Sequence, residues 1–247
     1  MGYVIVAGAT GGIGSALVRL LRTTSHQVMA IARDADRLAE LSTQTGAIAH
    51  PCDVLDEQQL KATIDQIIAE HGAPDGFAHA VGSIFLKPLH ATSLAEWNAA
   101  LEINATSAFL TMKAIMPAMM RARRGSVVLF STVAVQTGLQ NHETIAAAKG
   151  AIEGLIHSAA ISYSRYGIRV NGIAPALTRT GLSQSMWSNE AMLAASVAMH
   201  PLGRIGEPDD IAKAAYFALV DADWMTGQII GVDGGLSAGV QAPKTKL

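Results

Sequence analysis

Two groups of residues stand where they could do chemistry. Gly8, Gly12 and Gly14, with Thr10, Gly11 and Ile13 between them, follow the apolar run YVIVA (3–7) and open a helical pattern. Backbone without side chains turns tightly, approaches a pyrophosphate closely and offers it the N–H groups of a helix start. The alternative is an ordinary turn, but a position between strand and helix favours phosphate. In NHETIAAAKG (141–150), His142, Ile145 and Lys149 are spaced i, i+3 and i+7, which predicts one shared helix face. An imidazole and an ammonium can donate, accept or stabilise a proton in transit; the isoleucine between them can do none of this.

The elements that must position these groups follow from the hydrophobic pattern. Apolar runs at 3–7, 27–32, 47–50, 76–80, 126–131, 168–174 and 227–232 alternate with helical stretches at 13–22, 34–41, 56–70 and 93–120, around Lys149, and after Glu207-Pro208. This is the βαβ rhythm of a parallel sheet, and strands without polar alternation predict one covered on both faces. The expected fold is α/β: a single-domain doubly wound Rossmann sheet of about seven parallel strands flanked by helices, over 1–240. Ligands should then bind at the carboxyl ends of the strands.

The spacing Gly8-x-x-x-Gly12-x-Gly14 resembles the short-chain dehydrogenase/reductase superfamily, and the likeness runs through almost the whole chain. CDV (52–54) is similar to the family's adenine contact, with Asp53 and Val54. The segment at Ala80, Val81 and Gly82 is similar to the one beside the cofactor, and INATSAF (103–109) carries the active-site asparagine at Asn104. IRVNGIAPALTRT (168–180) resembles the segment over the nicotinamide, implying contacts from Pro175, Leu177, Thr178 and Thr180. HPLGRIGEPDDIA and TGQIIGVDGG match the closing helix and last strand. At the end of the second strand a carboxylate would select NAD, whereas an arginine pairs with the 2′-phosphate of NADP. AIARDADRL has Ala32 at the selecting position and Arg33 next, so NADP(H) is expected over NAD(H), with the preference moderated by Asp34 and by Gly11, where some relatives carry a second basic residue.

The resemblance also implies a tyrosine four residues before the lysine that holds the ribose. Here Thr132 stands in the serine place, with Ser131 as a spare hydroxyl, Lys149 in the lysine place and Ile145 in the tyrosine place. Two readings remain. One is a protein that binds cofactor without turnover, serving as a partner subunit or sensor. The other is a relocated donor, since enoyl-thioester reductases of the same superfamily carry their tyrosine seven residues before lysine, where His142 stands. HAVG (79–82) is also similar to that branch, although His79, at the end of a buried strand, reads as structural or cofactor-facing. Hydride addition to a conjugated alkene leaves an enolate less basic than an alkoxide, for which donation from Thr132 and a neutral His142 would suffice. A helix N-terminus beside His142 would favour that neutral ring. The expected reaction is reduction of a conjugated C=C, or else of a carbonyl.

Residues 181–203 are similar to the family's substrate lid; Met186, Trp187, Met192, Leu193 and Met199 give it an apolar surface, and no Arg or Lys lies between Arg179 and Arg204. A small neutral apolar or amphipathic substrate is expected. Met112, Met116, Met119 and Met120 are assigned to core or subunit contacts, and the Ala-rich helix after Lys149 resembles the element on which relatives form homodimers or homotetramers. The 247 residues are 50% hydrophobic with a net charge of −2 from 18 basic and 20 acidic residues in no blocks, which argues against nucleic acid. The only cysteine, Cys52, leaves no disulfide framework or multi-cysteine metal site. No signal peptide, membrane span or matching lipidation motif is read, so a reducing, cytoplasmic setting is expected, with QAPKTKL (241–247) as a loose tail.

Overall fold

Predominantly apolar side chains make YVIVA a strand buried on both faces, with the Tyr3 hydroxyl donating to Gly72 O, and the strands Gln27–Ala32, Gly76–His79, Gly125–Phe130 and Ile168–Pro175 are buried in the same way. The structure, a computed structural model, describes residues 2–239; the QAPKTKL segment lies outside them. Seven strands, β1 (Tyr3–Ala7), β2 (Gln27–Ala32), β3 (Ile48–Pro51), β4 (Gly76–His79), β5 (Gly125–Phe130), β6 (Ile168–Pro175) and β7 (Ile229–Val232), form one parallel sheet in the order β3-β2-β1-β4-β5-β6-β7. The order reverses between β1 and β4, the switch point where such sheets bind ligands.

Strand residues alternate between two cores. Tyr3, Ile5, Met29, Ile31, Phe77, Val127 and Leu129 face α3 (Glu57–His71), α5 (Ser107–Ala122) and α6 (Glu143–Ser164). Val4, Val6, Val28, Ala30, Ala78, Val128 and Phe130 face α1 (Gly12–Thr23), α2 (Ala35–Thr45) and α9 (Pro208–Tyr216). Met112, Met116 and Met119 are buried in the first core and Met120 packs against it, which settles their assignment to core.

The helix starts follow local chemistry. Asp34 and Asp56 cap α2 and α3 by accepting backbone N–H bonds, and Ser93 with Glu96 forms a capping box on α4 (Leu94–Leu101). Three expectations need correction. The third strand starts and ends one residue later than 47–50, with Ala47 closing the preceding loop. The helical stretch 93–120 is interrupted by a π-turn at Glu102–Thr106 between α4 and α5. His142, expected on a shared helix face with Ile145 and Lys149, is the N-cap of α6, with non-helical φ −103° and ψ 7°, because the chain enters through a turn at Gln140–Asn141 in which Asn141 has φ 62°. The lid contains two short helices, α7 (Gln184–Trp187) and α8 (Glu190–Met199). No described helix is long and apolar enough to cross a membrane, and no cluster of metal-ligating side chains occurs among the described residues.

Candidate active site

The loops at the carboxyl ends of β1, β2, β4, β5 and β6 enclose two adjoining cavities. The first runs along the glycine loop and is lined by Gly8, Thr10, Gly11, Gly12, Ile13 and Gly14, by Arg33 and Arg37, by Asp53 and Val54, and by Ala80, Val81, Gly82 and Thr180. Its shape depends on missing side chains. Gly8 has φ 78°, and a Cβ on it would lie 2.6 Å from the Ala80 backbone; one on Gly14 would lie 2.2 Å from Gly8 O. A Cβ on Gly12 would meet Thr180 at 2.6 Å. A bare backbone beside a helix start, with cations at the far end, fits a dinucleotide. Arg33 Nη1 lies 3.9 Å from Asp53 Oδ2. Arg37, which the sequence reading passed over, reaches across from α2 to the glycine loop and donates from Nη2 to Thr10 O at 2.7 Å. The cavity therefore has two guanidiniums rather than one.

The second cavity, about 470 Å³, lies over the ends of β4, β5 and β6 and is roofed by the lid. Thr132, His142, Ile145 and Lys149 all line it, together with Pro175, Leu177, Thr178 and Thr180. His142 reaches it from the cap rather than from the helix. Its Nδ1 lies 2.7 Å from Gln140 O. A carbonyl only accepts, so Nδ1 carries the proton and a neutral ring presents Nε2 as a bare lone pair. That overturns the expectation of a neutral His142 acting as donor: the cap geometry fixes the other tautomer.

Lys149 is buried and donates to Phe130 O at 2.9 Å; burial lowers its ammonium to about 8. Asn104 sits on the π-turn, donating to Ser83 Oγ and Ala100 O and accepting from Ser83 N–H. A methyl group on Gly82 would touch both Asn104 Oδ1, at 2.8 Å, and Lys149 Nζ, at 3.2 Å, so the two flank one point. Thr132 accepts from Ala134 N–H and makes only a long contact, 3.5 Å, to Pro175 O, which leaves its hydroxyl to serve the cavity. Ser131 is no spare: its hydroxyl proton goes to buried Glu153 at 2.7 Å. His79 is buried between Ser107 and Thr111 of α5 and lines neither cavity; burial, aided by the Lys149 charge, pushes it down to about 3, so it is a neutral structural histidine.

In the lid, Met186 and Met199 line the cavity but Trp187, Met192 and Leu193 do not. Trp187 turns aside to donate to Thr180 O at 3.1 Å under the Arg179 guanidinium, and Met192 is exposed. His200, unremarked in the sequence, lines the cavity instead.

A family model described as Enoyl-(Acyl carrier protein) reductase matches residues 8–237. The chain belongs to the short-chain dehydrogenase/reductase superfamily. Within it, the chain is 36% identical over 242 residues to a 2,5-dichloro-2,5-cyclohexadiene-1,4-diol dehydrogenase of Sphingobium indicum, covering 95% of this chain and 96% of that one. It is 34% identical over 240 residues to a cis-4-hydroxycyclohexanecarboxylate dehydrogenase of Sinomonas cyclohexanicum, again covering 95% and 96%. Among solved structures, a gluconate 5-dehydrogenase from Burkholderia cenocepacia in complex with NADP and tartrate superposes with a TM-score of 0.91 at 28% identity, covering 97% of this chain and 96% of that one. These relatives of the short-chain dehydrogenase/reductase superfamily are oxidoreductases of hydroxyl and carbonyl groups.

Proposed function

We propose that the protein is an NADP(H)-dependent oxidoreductase that interconverts a hydroxyl and a carbonyl on a small, neutral, apolar substrate, with His142 handling the proton. The observation that carries this reading is the 2.7 Å contact of His142 Nδ1 with Gln140 O, on a residue that shares its cavity with Ile145 and Lys149. When bound, the nicotinamide supplies the hydride chemistry. The chain's own part is the proton. In oxidation, the neutral ring takes it from the substrate hydroxyl at Nε2 as the C=O bond forms, while Nδ1–H stays on Gln140 O and holds the developing imidazolium in place. In reduction the imidazolium returns it. Thr132 steadies the oxygen, and the Lys149 ammonium adds positive potential where the oxygen carries charge. Ile145 occupies the remaining wall with hydrocarbon.

Either reduction, of a carbonyl or of a conjugated C=C, needs His142 already protonated or Thr132 as donor, whereas a bare Nε2 is ready to take a proton from a hydroxyl. The arrangement therefore favours the oxidative direction of the hydroxyl–carbonyl pair, in keeping with the dehydrogenases named above. A cofactor-binding protein without turnover is the reading that Ile145 favours. Purified protein assayed with NADP⁺ and cyclic secondary alcohols, and with NADPH and the matching ketones, enones and enoyl thioesters, separates the three. Alcohol–ketone turnover is expected; activity confined to alkenes, or tight NADPH binding with no turnover on any panel, overturns it.

A further inference from the structure

His200 is the C-cap of α8, lines the second cavity, and is 4% exposed. Its Nδ1 lies 2.6 Å from Ser196 O, so this ring too carries its proton on Nδ1 and, when neutral, leaves Nε2 as an acceptor. Nε2 is buried and has no hydrogen-bond partner among the described residues. Gly234 packs against the ring, and the adjacent Asp233 is occupied by Gly235 N–H, Ser237 N–H and the Ser237 hydroxyl. A buried acceptor without a donor is rare in folded proteins and marks a place where something else supplies one. The residue lines the same cavity as Thr132, His142 and Lys149, together with Met199 and Leu236.

We infer that His200 Nε2 receives a second hydroxyl of the substrate, which makes the substrate class an apolar skeleton carrying two hydroxyls, one oxidised beside His142 and the other held by His200. The inference rests on the hydroxyl–carbonyl reading above. A hydroxyl fits better than an ammonium because, among the described residues, no carboxylate lines this cavity to balance a charge. A site built to pair with a substrate hydroxyl discriminates strongly against the analogue that lacks it.

The test uses the full chain with NADP⁺ and two probes of one skeleton, cyclohexane-1,4-diol (both isomers) and cyclohexanol. Dissociation constants are measured by calorimetry and NADPH formation in parallel. The wild-type protein is expected to bind at least one diol isomer tenfold or more tighter than the mono-ol. His200→Leu should bring that ratio near one, and His200→Gln, whose Oε1 can stand where Nε2 does, should restore part of it. No preference in the wild type, or the same ratio in His200→Leu, overturns the inference. Discrimination in binding without NADPH formation removes the proposed reaction but leaves the diol site. Turnover of both diol and mono-ol with equal dissociation constants removes the diol site but leaves the reaction.

Discussion

His142 owes its directionality to one hydrogen bond: with Nδ1–H on a main-chain oxygen, its chemistry is concentrated at Nε2. His142→Ala should therefore lower turnover by about 10²-fold while leaving NADPH affinity nearly unchanged, and added imidazole should restore part of the rate because the truncation leaves room for the missing ring. Steady-state kinetics with and without imidazole, beside a fluorescence titration of NADPH, checks both parts; undiminished turnover in the alanine variant would return the proton to Thr132. At the other cavity, Arg33→Ala should weaken NADPH much more than NADH, by about 1.5–3 kcal/mol for one lost charge-assisted contact. Arg37→Ala should add a smaller loss, since part of that guanidinium's capacity is spent on Thr10 O. Equal weakening of both nucleotides would remove Arg33 from the 2′-phosphate.

Elements set these groups to within one residue, and the glycine loop is the least forgiving. Gly14→Ala places a methyl group 2.2 Å from Gly8 O, so the turn must open; nucleotide binding should fall at least tenfold and melting should come several degrees earlier, read by titration and by thermal denaturation. Normal nucleotide affinity in that variant would show that the loop is not the cradle. This loop and the strands around it were legible in the sequence because glycine position and apolar runs are written in residue types: β1 and β2 match their runs residue for residue. The π-turn at Glu102–Thr106 was not, since a five-residue hydrogen-bond register leaves no periodic mark in so short a stretch. Nor were the tautomer of His142, the commitment of Ser131 to Glu153 or the orphaned nitrogen of His200. Each depends on which atom meets which across a loop or a helix, and residue type does not encode that. The face shared by 142, 145 and 149 was a sound expectation for a helix that begins one residue too late to include the first of them.

For the whole molecule, the buried lysine links the active site to stability. The unfolded chain holds the Lys149 proton up to the ordinary 10.5, whereas the folded one releases it from about 8. Between those values the unfolded state binds more protons, so this group makes stability rise with pH across that window, and below about 8 the cost of burying the charge is present in full. Lys149→Met should flatten that rise and, without nucleotide, stabilise the fold near pH 7 by on the order of 3 kcal/mol less the lost bond to Phe130 O. Urea denaturation of both proteins from pH 7 to 10.5 checks it; parallel curves would mean that the ammonium is solvated in the native state. The two cores on either side of the sheet, with large fully buried side chains such as Phe77, Ile5 and Leu17, offset that cost.

The oxygen atoms that orient His142 and His200 belong to the main chain of Gln140 and Ser196. No side-chain replacement at 140 or 196 can delete them, and almost any residue there keeps both rings aimed. What can undo them is arithmetic: one residue gained or lost between Gln140 and His142, or between Ser196 and His200, moves the carbonyl away from its imidazole. Lineages carrying this site should tolerate spelling changes at those two positions and be intolerant of changes in the spacing, the reverse of what is ordinarily allowed in a surface loop.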